Sequence, residues 1–248
     1  MKKVLFFLFS LCVASSVTCR AQAPEEHACA MHHMLNMTAG EYIYNIPCKV
    51  IVVHPELEGK ALLMLWLHGG VHTPKAFTLL DSTSCSRYTT VPDTMKSYFE
   101  RTGTKAIMLL PVCKHANTTD LQTWPDCWVD VKTMIDAYVD KGLVDKSRIY
   151  VSGSSDGGTG TWQYVAQHPD VFAAGIALSS SRYQENTTIP VWWFTTADEA
   201  DCTEKAKQLK ASGIQVEYKH CGDAKHGGDQ REITDELMDK LLSIKKTD

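Results

Sequence analysis

The chain has 248 residues, with 25 Lys and Arg against 29 Asp and Glu and a formal net charge of −4. A balance so near neutrality, without any basic block, makes nucleic acid and anionic membrane poor partners. The length suits a sizeable core, and neither internal repeats nor a low-complexity tract divide it.

The first residues, MKKVLFFLFSLCVASSVTCRAQA, read as a signal peptide over 1–23: Lys2 and Lys3 lead, Val4 to Val17 is apolar, and Ala21-Gln22-Ala23 supplies small residues for cleavage. The apolar run is short for a membrane span and no second one follows, so a secreted or periplasmic protein is expected. Ser16-Val17-Thr18 is a poor lipobox ahead of Cys19, which argues against a lipid anchor there. Residues 24–40, PEEHACAMHHMLNMTAG, have no clean period and read as a loosely held arm before a single domain over 41–248. Its Met, His and Cys side chains suit a soft ion such as Cu(I), but a flexible leader whose methionines pack on the domain is the favoured reading, and no metal or other cofactor is assigned.

Glu41 to His54 alternates and reads as a strand. Ala61 to Leu67 (ALLMLWL) and Lys105 to Val112 are continuous apolar runs of the kind buried on both faces of a parallel sheet. The stretches 72–100 and 114–128 read as loops. Trp128 to Lys141 has helical spacing, Arg148 to Ser152 is a strand, and Thr159 to Gln167 a helix. Phe172 to Leu178 and Val191 to Thr195 are further strands. A helix over Glu204 to Ser212, a strand over Ile214 to Tyr218 and a helix over Glu232 to Lys245 close the chain. Strands alternating with helices predict an α/β fold with a mostly parallel sheet covered on both faces. Reactive groups in such a sheet gather at the carboxyl ends of the strands.

Seven cysteines lie beyond residue 23, and no CxxC occurs among them. In an exported chain they favour disulfides over metal. Cys113 with Cys127 and Cys202 with Cys221 are the expected pairs, each stapling a loop near the chemistry below. Three sequons, at Asn36, Asn117 and Asn186, matter only in a glycosylating host.

The segment Tyr150 to Trp162, YVSGSSDGGTGTW, carries the chemistry. It lacks the lysine of a phosphate loop and does not fit GxGxxG. It does fit G-x-S-x-G as Gly153-Ser154-Ser155-Asp156-Gly157, between a strand and a helix, the setting of a nucleophile elbow. Ser155 alone is in register as the nucleophile. The elbow aims the next backbone N–H, that of Asp156, at a developing oxyanion. His68-Gly69-Gly70 follows a buried strand, so Gly70 and Val71 are the expected second source of oxyanion donors. A serine attacks only when a base takes its proton and a third group orients the base, in the order Ser, acid, His. Among ten histidines, His226 stands in a glycine-rich loop, GDAKHGGD, between the last strand and the closing helix, and is the expected base. The acid follows PVWWF, where Asp198 and Glu199 are both placed to serve and Asp201 lies too far on.

With these residues assembled, the chain resembles the α/β-hydrolase fold, and within it the group of feruloyl and acetylxylan esterases, polyhydroxyalkanoate depolymerases and related predicted peptidases. LWLHGG, then DKSRIYVSGSSDGGTGTW with HPDVFAAGIALS, then PVWWF and the His226 loop carry the resemblance. It implies a cofactor-independent serine esterase forming an acyl-enzyme on feruloyl or acetyl esters of plant polysaccharide. A polyester depolymerase and a serine peptidase share the same triad, and a non-catalytic binding protein on the same scaffold is the alternative of another class. Members of the group often have an apolar residue where Asp156 stands, and His-Gly where this chain has Thr195-Thr196; aligned so, the family acid falls on Glu199. Trp124, Trp128 and Trp162 are candidates to line a groove for an aromatic or sugar ring, against the alternative that they are core.

Overall fold

The computed structural model describes residues 37–39, 42–44, 48–70, 90–112, 124–196, 199–222 and 225–247. Strands β1 (Met37–Ala39) and β2 (Tyr42–Tyr44) form a small antiparallel ribbon in which Met37 faces Tyr44. The remaining strands build one seven-stranded sheet: β3 (Cys48–Val53), β4 (Ala61–Leu67), β5 (Ala106–Pro111), β6 (Val144–Ser154), β7 (Ala174–Leu178), β8 (Val191–Thr195) and β9 (Val216–His220). Its order is β3-β5-β4-β6-β7-β8-β9. Only the edge strand β3 runs antiparallel to its neighbour; every other pairing is parallel.

The apolar runs explain this layout. All seven residues of β4 are buried, and alternate side chains serve two separate cores. Leu63, Leu65 and Leu67 join one core with helices α2 (Trp128–Asp140), α3 (Asp156–Gln167) and α4 (Glu199–Ala211). Leu62, Met64 and Trp66 join the other with α1 (Val91–Thr102) and α5 (Asp235–Ser243). A strand with water on neither face gains from every side chain, about 1.5–3 kcal/mol for each fully buried aliphatic or aromatic one. Among the described residues no helix is long and apolar enough to cross a membrane.

Several expectations change. Helix α1 occupies part of the stretch read as a loop over 72–100. Its signals are local, with Pro92 in the first turn and Gly103 ending it at φ 65, while Val91, Met95, Tyr98 and Phe99 supply the buried face. The strand expected over 41–54 is divided into β2 and β3. Helix α4 begins at Glu199 instead of Glu204, so the acid candidate Glu199 opens a helix.

The Cys202–Cys221 pairing is overturned. Cys202, on α4, is buried in one core, whereas Cys221, after β9, is buried in the other. Cys221 is a free thiol, so the two residues are not bridged. Burial pushes the Cys221 thiol up to about 11. Cys113 lies outside the described residues, as do the copper-binding candidates of the arm before Met37.

Candidate active site

Strand β6 runs into α3 through Ser155, whose φ of 58 and ψ of −118 place it in a region a side chain rarely adopts. Backbone contacts make that conformation necessary. A Cβ at Gly157 would lie 1.9 Å from the Leu67 carbonyl oxygen, and one at Gly153 would lie 2.3 Å from the carbonyl of Gly157. The turn is therefore folded against the end of β4 with no room for a side chain on either flank. The Ser155 N–H donates to the Leu178 carbonyl at 2.9 Å, tying the elbow to the end of β7. Its hydroxyl stands half-buried at the N-terminus of a 12-residue helix, where partial positive charge favours a developing anion.

The His68-Gly69-Gly70 loop lies directly on this turn. A Cβ at Gly69 would be 3.1 Å from Ser155 Cβ and 3.8 Å from its Oγ, so glycine backbone approaches the hydroxyl as an oxyanion loop must. The loop is held from beneath. Trp124 Nε1–H donates to the His68 carbonyl at 3.2 Å, and the Tyr164 hydroxyl donates to the Trp124 carbonyl at 2.7 Å. The His68 ring meets Trp124 edge-on at 5.0 Å, and its Nδ1–H donates to the Gly69 carbonyl at 2.6 Å. Burial holds the His68 imidazole below its ordinary pKa, which keeps it neutral.

Asp156 follows Ser155 with an exposed side chain. Its carboxylate turns towards the glycine loop, since a Cβ at Gly70 would lie 2.6 Å from Asp156 Oδ2. Negative charge thus sits on the flank of the candidate oxyanion site, opposite in sign to what that site stabilises.

His226 lies between β9 and a short 3-10 turn, Gly228–Glu232, with an exposed side chain. Among the described residues no hydrogen bond joins it to Ser155. Val71 and Asp198 lie outside the described residues, and of Glu199 only the backbone is described. Asp201, exposed, is carried on α4.

One residue with no expected role stands near His226. Asp229 is 0 % exposed, and both of its oxygens accept from Ser179, one from the backbone N–H and one from the hydroxyl at 2.5 Å. Burial raises its pKa against the pull of the two Ser179 donors and the nearby His226. The sequence displayed Asp229 at the end of GDAKHGGD, but its partner is 50 residues away, so no local pattern marks it.

The tryptophans do not form a groove. Trp162 is 0 % exposed and edge-on to Trp193, Trp124 is 4 % exposed beneath the glycine loop, and Trp128 stacks on His168 at 3.6 Å. Trp128 and Trp162 pack, and Trp124 both packs and holds the glycine loop through its indole N–H.

The fold is that of the α/β-hydrolases. The model of the prolyl oligopeptidase family (peptidase S9) matches residues 116–205. A thermostable esterase is similar over 81% of this chain and 60% of its own, at 22% identity and a TM-score of 0.64. The present chain thus spans less than two thirds of that esterase. The feruloyl esterase module from Clostridium thermocellum, complexed with sinapinate, is similar over 80% of this chain and 83% of its own, at 13% identity and a TM-score of 0.57. An acylaminoacyl peptidase is similar over 86% of this chain and 41% of its own, at 15% identity and a TM-score of 0.55. No curated protein matches the sequence. These likenesses show the α/β-hydrolase fold.

Proposed function

We propose that the protein is an exported serine hydrolase of carboxylic esters. One observation carries the reading: a strained serine at a strand-to-helix turn, φ 58, with glycine backbone packed over its hydroxyl. Turns of this kind cost about 1–3 kcal/mol and persist where chemistry needs them.

In the reaction, Ser155 Oγ attacks the ester carbonyl carbon while His226 takes its proton. The oxyanion is stabilised by the N–H groups of Asp156 and of Gly70 with Val71. The tetrahedral intermediate collapses, the C–O bond breaks, and the alcohol leaves with the proton from His226. Water then attacks the acyl-enzyme by the same path, releasing the acid and restoring Ser155. Asp198 or Glu199, which follow β8 in the sequence, orients His226. No cofactor enters this scheme.

Feruloyl or acetyl esters of plant polysaccharide are the proposed substrates. The esterase-like sequence around Ser155 and the likeness to a feruloyl esterase module support them. A serine peptidase is the second reading, favoured by the family match over 116–205, which spans the elbow and α3.

Hydrolysis of p-nitrophenyl acetate, butyrate and octanoate, of methyl ferulate and of a peptide p-nitroanilide decides between them, with Ser155→Ala in parallel. Turnover of short or feruloyl esters that is lost in Ser155→Ala is the expected result. Turnover of the anilide alone moves the peptidase to the front, and no turnover above the Ser155→Ala background leaves a binding protein on a hydrolase scaffold.

A further inference from the structure

His226 stands on a turn ill-suited to hold it. Gly227 and Gly228 follow it, Gly227 with φ +88, and its own side chain is exposed rather than packed. Glycine-rich turns have the most conformational freedom to lose, while a general base must be held to a fraction of an ångström. The required order has to be supplied from outside the turn.

Asp229 supplies it. A carboxylate at 0 % exposure stays buried only if its oxygens are matched by donors. Here both donors come from Ser179, the residue following β7, itself at φ 51. The Ser179 hydroxyl in turn accepts the Gly227 N–H at 3.0 Å. The residue immediately after His226 is thereby tied to the same serine as Asp229. Across the turn, the Gly228 N–H donates to the Lys225 carbonyl at 2.7 Å. The elbow is anchored one residue away, because the Ser155 N–H donates to Leu178 at 2.9 Å. Adjacent residues at the end of β7 thus hold the backbone of the nucleophile and the turn of the base.

We propose that Asp229 is a positioning residue which, through Ser179, latches the His226 turn to the strand end that also anchors Ser155, and so fixes the base relative to the nucleophile. With both oxygens engaged by Ser179 and no hydrogen bond to His226, it acts through the backbone and not as the acid of the triad. This rests on the assignment of Ser155 and His226 as nucleophile and base.

The test uses the mature protein with Asp229→Asn and Ser179→Ala. Lys225 is exposed and immediately precedes His226, so trypsin cleavage after Lys225, followed by mass spectrometry, reports the freedom of the turn without any substrate. Both variants are expected to speed that cleavage about tenfold while other tryptic sites keep their wild-type rates, as local opening of one segment predicts. On whichever substrate the wild type turns over, kcat is expected to fall on the order of 10–100-fold with KM little changed, the signature of a misplaced base. Wild-type cleavage rates at Lys225 in folded variants would overturn the latch, and so would a faster cleavage accompanied by an undiminished kcat. Should the wild type turn over nothing, the esterase reading fails by itself, and the proteolysis comparison alone decides the latch. Ser179→Ala keeps the Asp229 carboxylate, so it carries the test if Asp229→Asn does not fold.

Discussion

The indole nitrogen of Trp124 donates to the carbonyl of His68, joining the 3-10 turn Trp124–Cys127 to the glycine loop over Ser155. Trp124 also rests on Gly160 of α3, where a Cβ would lie 2.5 Å from the ring. One side chain therefore sets the height of the loop above the elbow. Replacing Trp124 with Phe keeps most of the packing and removes the donor. We expect stability to drop by about 1–3 kcal/mol, the cost of a buried acceptor losing its partner. Turnover should fall through kcat, read by chemical denaturation alongside steady-state kinetics.

The elbow glycines differ in kind from those of the surface turns. Gly157→Ala would drive a methyl group into the Leu67 backbone, which has no flexible end to yield. A loss of about 3 kcal/mol or more is expected, at or above the top of the usual range for single substitutions. Gly59 has φ +83 but open space around it, so Gly59→Ala should cost only about 1–2 kcal/mol of left-handed strain. Urea denaturation of the pair measures the contrast; equal losses would contradict the close approach.

Burial holds the His68 imidazole below its ordinary value in the fold, while the unfolded chain titrates near 6.5. The unfolded state therefore binds more protons in the window below 6.5. Its contribution to stability is complete above that pH and is lost as pH falls towards the folded value. Subtracting the stability-versus-pH curve of His68→Asn from that of the wild type removes the other histidines. The difference should decline on acidification below about 6.5 and be flat above it.

Asp156 places a carboxylate oxygen against Gly70, beside the proposed oxyanion donors. A fixed negative charge there disfavours anionic acyl groups and favours cationic ones. Asp156→Asn keeps the backbone donor and removes the charge. Its kcat/KM should rise severalfold for an anionic ester and fall for a cationic one of matched size. Both changes should shrink with added salt, because exposed charges are screened over about 10 Å at 0.1 M. A uniform change for both esters would rule out discrimination by substrate charge, and one indifferent to salt would rule out an electrostatic origin.

The layered α/β architecture was legible because its inner strands β4, β5, β7 and β8 are buried on both faces. ALLMLWL and AIMLLP carry no alternation, only continuous apolar character, and that is what a central parallel strand requires. Helix α1 escaped because its polar positions resemble a loop, and only the pairing of Pro92 with Gly103 marks its ends. Ser155 could be placed from five consecutive residues, since the steric demands of an elbow are local. The disulfide expectation failed for the opposite reason: which face of a sheet a cysteine joins is not written near that cysteine, and Cys202 and Cys221 join opposite cores.

The sequence by itself determined what depends on near neighbours: the apolar runs that become strands, the glycines that let a serine adopt φ 58, and the histidine between the last strand and the closing helix. Tertiary structure alone decided what depends on partners distant in the chain. Trp124 lies beneath His68 at a separation of 56 residues, and Ser179 holds Asp229 at a separation of 50. The difference is physical. Backbone conformation and strand burial follow from local sterics and composition, whereas a buried carboxylate or indole N–H is satisfied by whatever donor or acceptor the packed sheet brings to it.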